Sequence, residues 1–267
     1  MGPLGRYQMS LGGFDSTLLA MRARDTGFDL GPDEDNEWLC FHATANLAVL
    51  WLTIHDGVRI AALAPASLVA EIGPILGVTP YIGTLPMEAA AAWQCHDEQS
   101  LDRLCRRAAI LGQVLPDQVL HRFEDAVEQA MTAADLGATE RLSQVRQRVG
   151  QDQFRDALLC YWGGRCPLTG CGELALLRAS HAKPWKDCVS DRERLDVHNG
   201  LLLAAHLDAA FDAGLITVAP DGGIEVSDQL GAIECAMLRL TEPTRIDGLT
   251  KWHRPYLAWH REKVFGR

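Results

Sequence analysis

The 267-residue chain has no CxxC pair, the spacing that frames most four-ligand structural zinc sites. Its eight cysteines are scattered, and the closest two, Cys166 and Cys171, have four residues between them. With Cys188 they would make only an irregular site, so free and mostly buried thiols in a reducing compartment are expected and a structural zinc is not. There is no signal-peptide pattern and no apolar run of membrane-spanning length, which predicts a cytoplasmic protein without a membrane partner. No internal repeat or low-complexity tract is visible, which excludes a solenoid or a tail-like chain.

Basic residues are scarce in one half only. Residues 1–144 hold 9 Lys+Arg against 19 Asp+Glu, whereas 145–267 hold 16 of each, so the whole formal charge of -10 lies in the N-terminal part. A surface that holds nucleic acid needs positive potential, which makes the neutral C-terminal half the better contact face. Hydrophobic residues make up 48% of the chain, enough for one large or two modest cores.

The pattern along the chain predicts an α+β protein with a boundary at 142/143. The first 36 residues, rich in Gly and Asp, are expected to be irregular. Trp38–Ile54 and Val58–Ala64 read as strands around an Asp56-Gly57 turn, and Leu68–Leu76 reads as a short helix. Met87–Ala134 has helical spacing broken at Pro116, and Ala133–Arg148 reads as a linker. In the second half, Gln151–Trp162 suits an amphipathic helix carrying Phe154, Leu158 and Tyr161, stopped by Gly163-Gly164. Strands are expected at Cys166–Thr169 and Leu174–Ala179, and a helix at Leu203–Ala213. A hairpin around Pro220-Asp221-Gly222 and a terminal helix at Leu257–Lys263 complete the reading.

Three residue types stand out in that half: His181 after an apolar run, Asn199 before Gly200, and Asp208 with Asp212 one helical turn on. Phosphodiester hydrolysis needs a base for water, a cation for the developing charge, and a group that fixes the base. These residues suit those roles. Locally, Asn199 is more often a turn residue than a catalytic one; its company changes the reading. His198 and His206 read better as surface or supporting residues than as ligands.

The ordered motifs Val149-Gly150-Gln151-Asp152-Gln153-Phe154-Arg155, Arg165-Cys166-Pro167-Leu168-Thr169-Gly170, Ser180-His181-Ala182-Lys183-Pro184-Trp185, Asn199-Gly200-Leu201-Leu202-Leu203, Leu207-Asp208 and Phe211-Asp212-Ala213-Gly214-Leu215 resemble the HNH endonuclease family, and most closely its branch assigned to bacterial restriction systems. The ending Tyr256–Phe265 is similar to that branch as well, so the resemblance covers about Ser143 to Arg267.

The resemblance implies a C-terminal ββα-metal nuclease domain at 143–267, with DNA as partner and one divalent ion. It casts His181 as general base, Asn199 as the residue that orients it, and Asp208 where many members have a final histidine. Two departures matter: Ser180 stands where an acidic or histidine residue is common, and Asp208 replaces histidine. The second favours magnesium or manganese over zinc, with Asp212 as second carboxylate. Arg155, Arg178, Lys183 and Trp185 are the expected nucleic-acid contacts.

The acidic residues 1–142 would form an α+β recognition, regulatory or dimerisation domain, and a homodimer would account for cutting both strands. The competing reading is a non-catalytic nucleic-acid-binding or regulatory protein on the same fold, for which Ser180 is the hint. A third has the N-terminal half binding a small ligand or modified base through Trp38, Trp51, Tyr81 or Trp93, against which core aromatics are the commoner explanation.

Overall fold

A computed structural model describes residues 12–73, 75–133 and 139–266. The chain forms two compact units, one ending at Gln113 and one starting at Val114. This division falls earlier than the 142/143 boundary read from the sequence, because the helix at Pro116–Ala133 packs on helices of the second unit.

The first unit opens with α1 (Gly13–Asp25) and continues with β1 (Leu30–Asp35), β2 (Trp38–Ala43), β3 (Asn46–His55), β4 (Val58–Ala64), the short α2 (Ala66–Val69), β5 (Val78–Pro80), β6 (Ala91–Cys95) and α3 (Glu98–Val114). The strands form one antiparallel sheet in the order β1-β2-β3-β4-β6-β5. Trp38, Cys40, Trp51, Ile60, Ala62 and Ala92 make a buried cluster, over which Val49, Tyr81, Leu85 and Ala89 pack. The alternating residues Leu39, Phe41, Leu50, Leu52 and Leu63 are also buried, so both faces are covered and the strands lose the polar-out pattern of a half-exposed sheet. The tryptophans proposed for stacking a ligand, Trp38 and Trp51, are core residues at 4% and 3% exposure.

Three expectations for this unit are corrected. The segment read as irregular holds α1 and β1, apart from residues 1–11, which lie outside the described residues. The helix expected at Leu68–Leu76 is limited to Ala66–Val69. The helical run expected from Met87 starts instead with strand β6, whose alanines are chosen for close packing between β4 and β5 and not for helix propensity.

The second unit contains α4 (Pro116–Ala133), α5 (Thr139–Tyr161), β7 (Leu177–His181), α6 (Asp191–Leu195), β8 (Gly200–Ala204), α7 (Ala205–Asp212), β9 (Ile216–Val218), β10 (Ile224–Val226), α8 (Ala232–Met237) and α9 (Arg254–Lys263). The expected linker at 133–148 is largely the first turns of α5, while residues 134–138 lie outside the described residues. No strand forms at Cys166–Thr169. The chain closes there into a turn, with Cys166 N donating to Cys171 O at 2.9 Å and Gly170 N to Cys166 O at 2.8 Å.

The two strands beside His181 are therefore β7 and β8, paired antiparallel with Ser180 opposite Leu201 and His181 opposite Gly200. Leu201, Leu202 and Leu203 are all buried, and a strand buried on both faces cannot be told from a helix start by periodicity. The helix begins at Ala205, two residues later than expected. Strand, strand and helix together give the ββα arrangement, and α5 lies directly on it. A Cβ on Gly200 would come within 2.5 Å of the Phe154 ring, so only glycine lets the helix approach the strand this closely. The hairpin β9/β10 forms at the expected place, and α9 begins three residues before the helix expected at the C-terminus.

Candidate active site

His181 is the last residue of β7. Its ring stacks on Phe154 of α5, centroids 3.8 Å apart at 14°, and meets the edge of Trp185 at 6.0 Å. Its Nε2 is 2.8 Å from the main-chain oxygen of Arg194. A carbonyl only accepts, so Nε2 carries the ring proton and Nδ1 presents the lone pair. Burial between the aromatic rings lowers the imidazole pKa to about 4, against a smaller upward pull from the Arg194 carbonyl. The ring is thus neutral at neutral pH, the protonation state a base requires.

Asn199 is fully buried and does not hydrogen-bond the imidazole. Its Oδ1 accepts from Lys183 N at 2.8 Å, and its amide protons face Lys183 O and Glu193 O, each at 3.1 Å, and Cys188 Sγ at 3.4 Å. It ties the start and end of the loop between β7 and α6, the loop that delivers the Arg194 carbonyl to His181. Any effect of Asn199 on the imidazole would therefore run at one remove, through the backbone.

The same loop holds a Lys183 to Glu193 ion pair at 2.6 Å, with both side chains less than one fifth exposed. Glu193 also accepts from Val189 N at 2.7 Å. The Arg194 guanidinium donates to Asp191, Trp185 O and Cys188 O. None of these partners was foreseen except by residue type. Asp191 and Arg194, three apart in the short α6, are the one sequence signal that could have marked the box.

On the other face of β7, Ser180 donates to Asp208 Oδ1 of α7 at 2.5 Å and is itself buried. Asp212 lies one turn further along α7, and its carboxyl is pushed up to about 6, first by desolvation and second by the negative Asp208. Two carboxyl groups one helical turn apart, one of them hindered from ionising by burial and by its neighbour's charge, suit a bound cation. The donor set Asp208, Asp212 and the Ser180 hydroxyl is all oxygen. It fits a hard ion that retains several waters, since magnesium is commonly held by one or two carboxylates. Among the described residues no group of three or more His, Cys, Asp or Glu side chains is placed to hold a metal, so water and phosphate would complete any shell.

Consecutive residues of one strand thus serve two sides. His181 faces α5 and the Arg194 carbonyl, while Ser180 faces the α7 carboxylates, and no hydrogen bond joins His181 to Asp208 among the described residues. His198 is buried and bonded to Asp196 through Nδ1 at 2.7 Å, whereas His206 is exposed.

The expected nucleic-acid contacts are mostly engaged within the protein. Arg155 donates to Leu177 O and Leu174 O at 2.8 and 2.9 Å, and Arg178 to Ala175 O and Leu177 O, both at 2.9 Å. Lys183 is held by Glu193, and Trp185 packs over Gly150 with the Arg194 guanidinium 5.6 Å above its ring. Carbonyls at the ends of 3-10 turns need donors, and Arg155 and Arg178 supply them. That demand is invisible in a linear sequence.

No curated protein matches the chain. Residues 166–219 match the family model described as HNH endonuclease, a span that runs from the Cys166 turn through β7, β8 and α7 to the end of β9. The segment that brings His181 to the end of its strand and sets two carboxylates on the following helix is therefore the part of the chain that is similar to the HNH endonuclease family.

Proposed function

We propose that the protein is a divalent-metal-dependent endonuclease that hydrolyses phosphodiester bonds in DNA. The observation that carries this reading is the fixed tautomer of His181, with Nε2–H spent on the Arg194 carbonyl and Nδ1 left to take a proton. Water deprotonated at Nδ1 attacks phosphorus in line. The Arg194 carbonyl then faces an imidazolium whose charge it stabilises, while the Phe154 and Trp185 rings keep bulk water away. Asp208 and Asp212 would hold the ion, with Ser180 orienting the Asp208 carboxylate. A magnesium or manganese ion bound there supplies positive charge to the scissile phosphate and the departing 3'-oxygen. The acidic N-terminal unit acts in this reading as a recognition, regulatory or dimerisation module, and a restriction or other defence role fits a nuclease joined to such a module.

The test is plasmid cleavage with magnesium, manganese or no metal, by the parent protein and His181→Ala, on methylated and unmethylated DNA. Metal-dependent cutting that disappears in the variant supports the reading. Retained DNA binding with no cutting by either protein would overturn it in favour of a binding module.

A further inference from the structure

A cleft of about 390 Å³ lies in the second unit, between the turn of the β9/β10 hairpin, the segment 245–250 and α9. Three arginines line it, Arg245, Arg254 and Arg261, against two aspartates, Asp221 and Asp247. The aspartates leave cationic capacity uncovered. Asp221 accepts from Gly223 N within its own turn at 3.0 Å, and the Asp247 side chain is almost fully exposed, 3.7 Å from Arg245. Arg261 donates to Val218 O, and Arg245 donates to Asp221 O at 2.8 Å. Arg254 is exposed and has no hydrogen-bond or ion-pair partner among the described residues.

Arg254 and Arg261 are seven apart on α9 and share a face, with Ala258 between them. This small residue lines the cleft between the two arginines and takes up little of its depth. A cation in the first turn of a helix also opposes the helix dipole, so Arg254 stands where its charge is unfavourable unless an anion answers it. The opposite wall is main chain at Gly222 and Gly248. Planar guanidinium forks suit phosphate oxygens, and the volume lies within the range of ligand-sized clefts.

We infer that this cleft is a phosphate site that holds a DNA backbone phosphate away from the scissile bond, with Arg254 as its principal contact. The inference rests on the nuclease reading only for the source of the phosphate. It makes α9 part of the nucleic-acid interface and gives the formally neutral C-terminal half a local positive feature.

The test uses the full chain with His181→Ala, without metal, and a labelled duplex of about 20 base pairs in a salt series. Arg254→Glu should weaken binding about tenfold, and Arg254→Ala should reduce the salt slope by about one. Arg239→Glu, an equal charge change at another exposed site, should cost much less, and thermal melting should be the same in all variants. Equal losses for Arg254→Glu and Arg239→Glu, or no loss for either, would overturn the inference. Unchanged duplex binding by Arg254→Glu, together with loss of inorganic-phosphate-induced shifts of the Gly222 and Gly248 amides, would overturn the DNA source in favour of a free phosphate ligand. A wild-type protein that binds duplex through Arg254 yet never cuts would sink the nuclease reading and leave this site standing.

Discussion

At the residue scale, His181 and Asn199 separate chemistry from architecture. His181→Ala removes the proposed base, whose side chain makes one hydrogen bond to a main-chain oxygen, so cleavage should fall by at least about 100-fold with duplex affinity retained; a parallel loss of affinity would argue against the assignment. Asn199→Ala strands the Lys183 amide and carbonyl and the Glu193 carbonyl in a buried loop. The expected cost is about 2–4 kcal/mol in urea denaturation, with cleavage lost alongside stability. His260 gives a pH test. It is buried and stacked on Phe211, donates from Nε2 to Phe211 O, and accepts at Nδ1 from Thr217, and burial lowers its pKa to about 4 from a usual 6.5. The unfolded chain therefore takes up a proton first as pH falls. Its contribution is present above pH 6.5 and is lost between 6.5 and 4, and His260→Gln should flatten the fall of the urea midpoint across that window.

The elements show where one-dimensional reading works. The Asp56-Gly57 and Pro220-Asp221-Gly222 hairpins were legible because turn chemistry is local, and the face of α5 with Phe154, Leu158 and Tyr161 because its partner is one continuous core. β6 and β8 were not: alanine or leucine runs buried from both sides carry no period. At the candidate site, His181, Asn199 and Asp208 are residues that type and order propose, whereas the Arg194 carbonyl against His181 is not, since any residue has one. Gly200 tests the contact of α5 with β8. Gly200→Ala would press on Phe154 at 2.5 Å and Leu158 at 2.7 Å, and should cost about 1–3 kcal/mol. Cleavage should fall as well, because Phe154 is also the ring on which His181 rests.

For the whole molecule, the question is which pieces stand alone. α4 packs on α5 and α6, with the Arg146 guanidinium 5.2 Å over the Phe123 ring and Phe123 and Val127 buried. A fragment of residues 114–267 should unfold cooperatively, whereas 143–267 lacks α4 and the start of α5 and should melt at lower temperature or fail to fold. Equal melting of the two by calorimetry would restore the later boundary. The shorter N-terminal unit carries most of the acidic excess, so 114–267 should also bind duplex more tightly at low salt than the full chain does.

Ser180 and His181 stand side by side on β7 and face opposite ways. Antiparallel strands can slip by one residue, and such a slip sends every side chain to the other face. In this domain it would turn the imidazole toward the carboxylates and the hydroxyl toward Phe154, leaving a folded sheet with its two chemical halves exchanged. On the proposed reading, cleavage would therefore also be a readout of strand alignment, and variants of the Arg194 loop that leave melting intact should still abolish it by letting β7 settle one notch away.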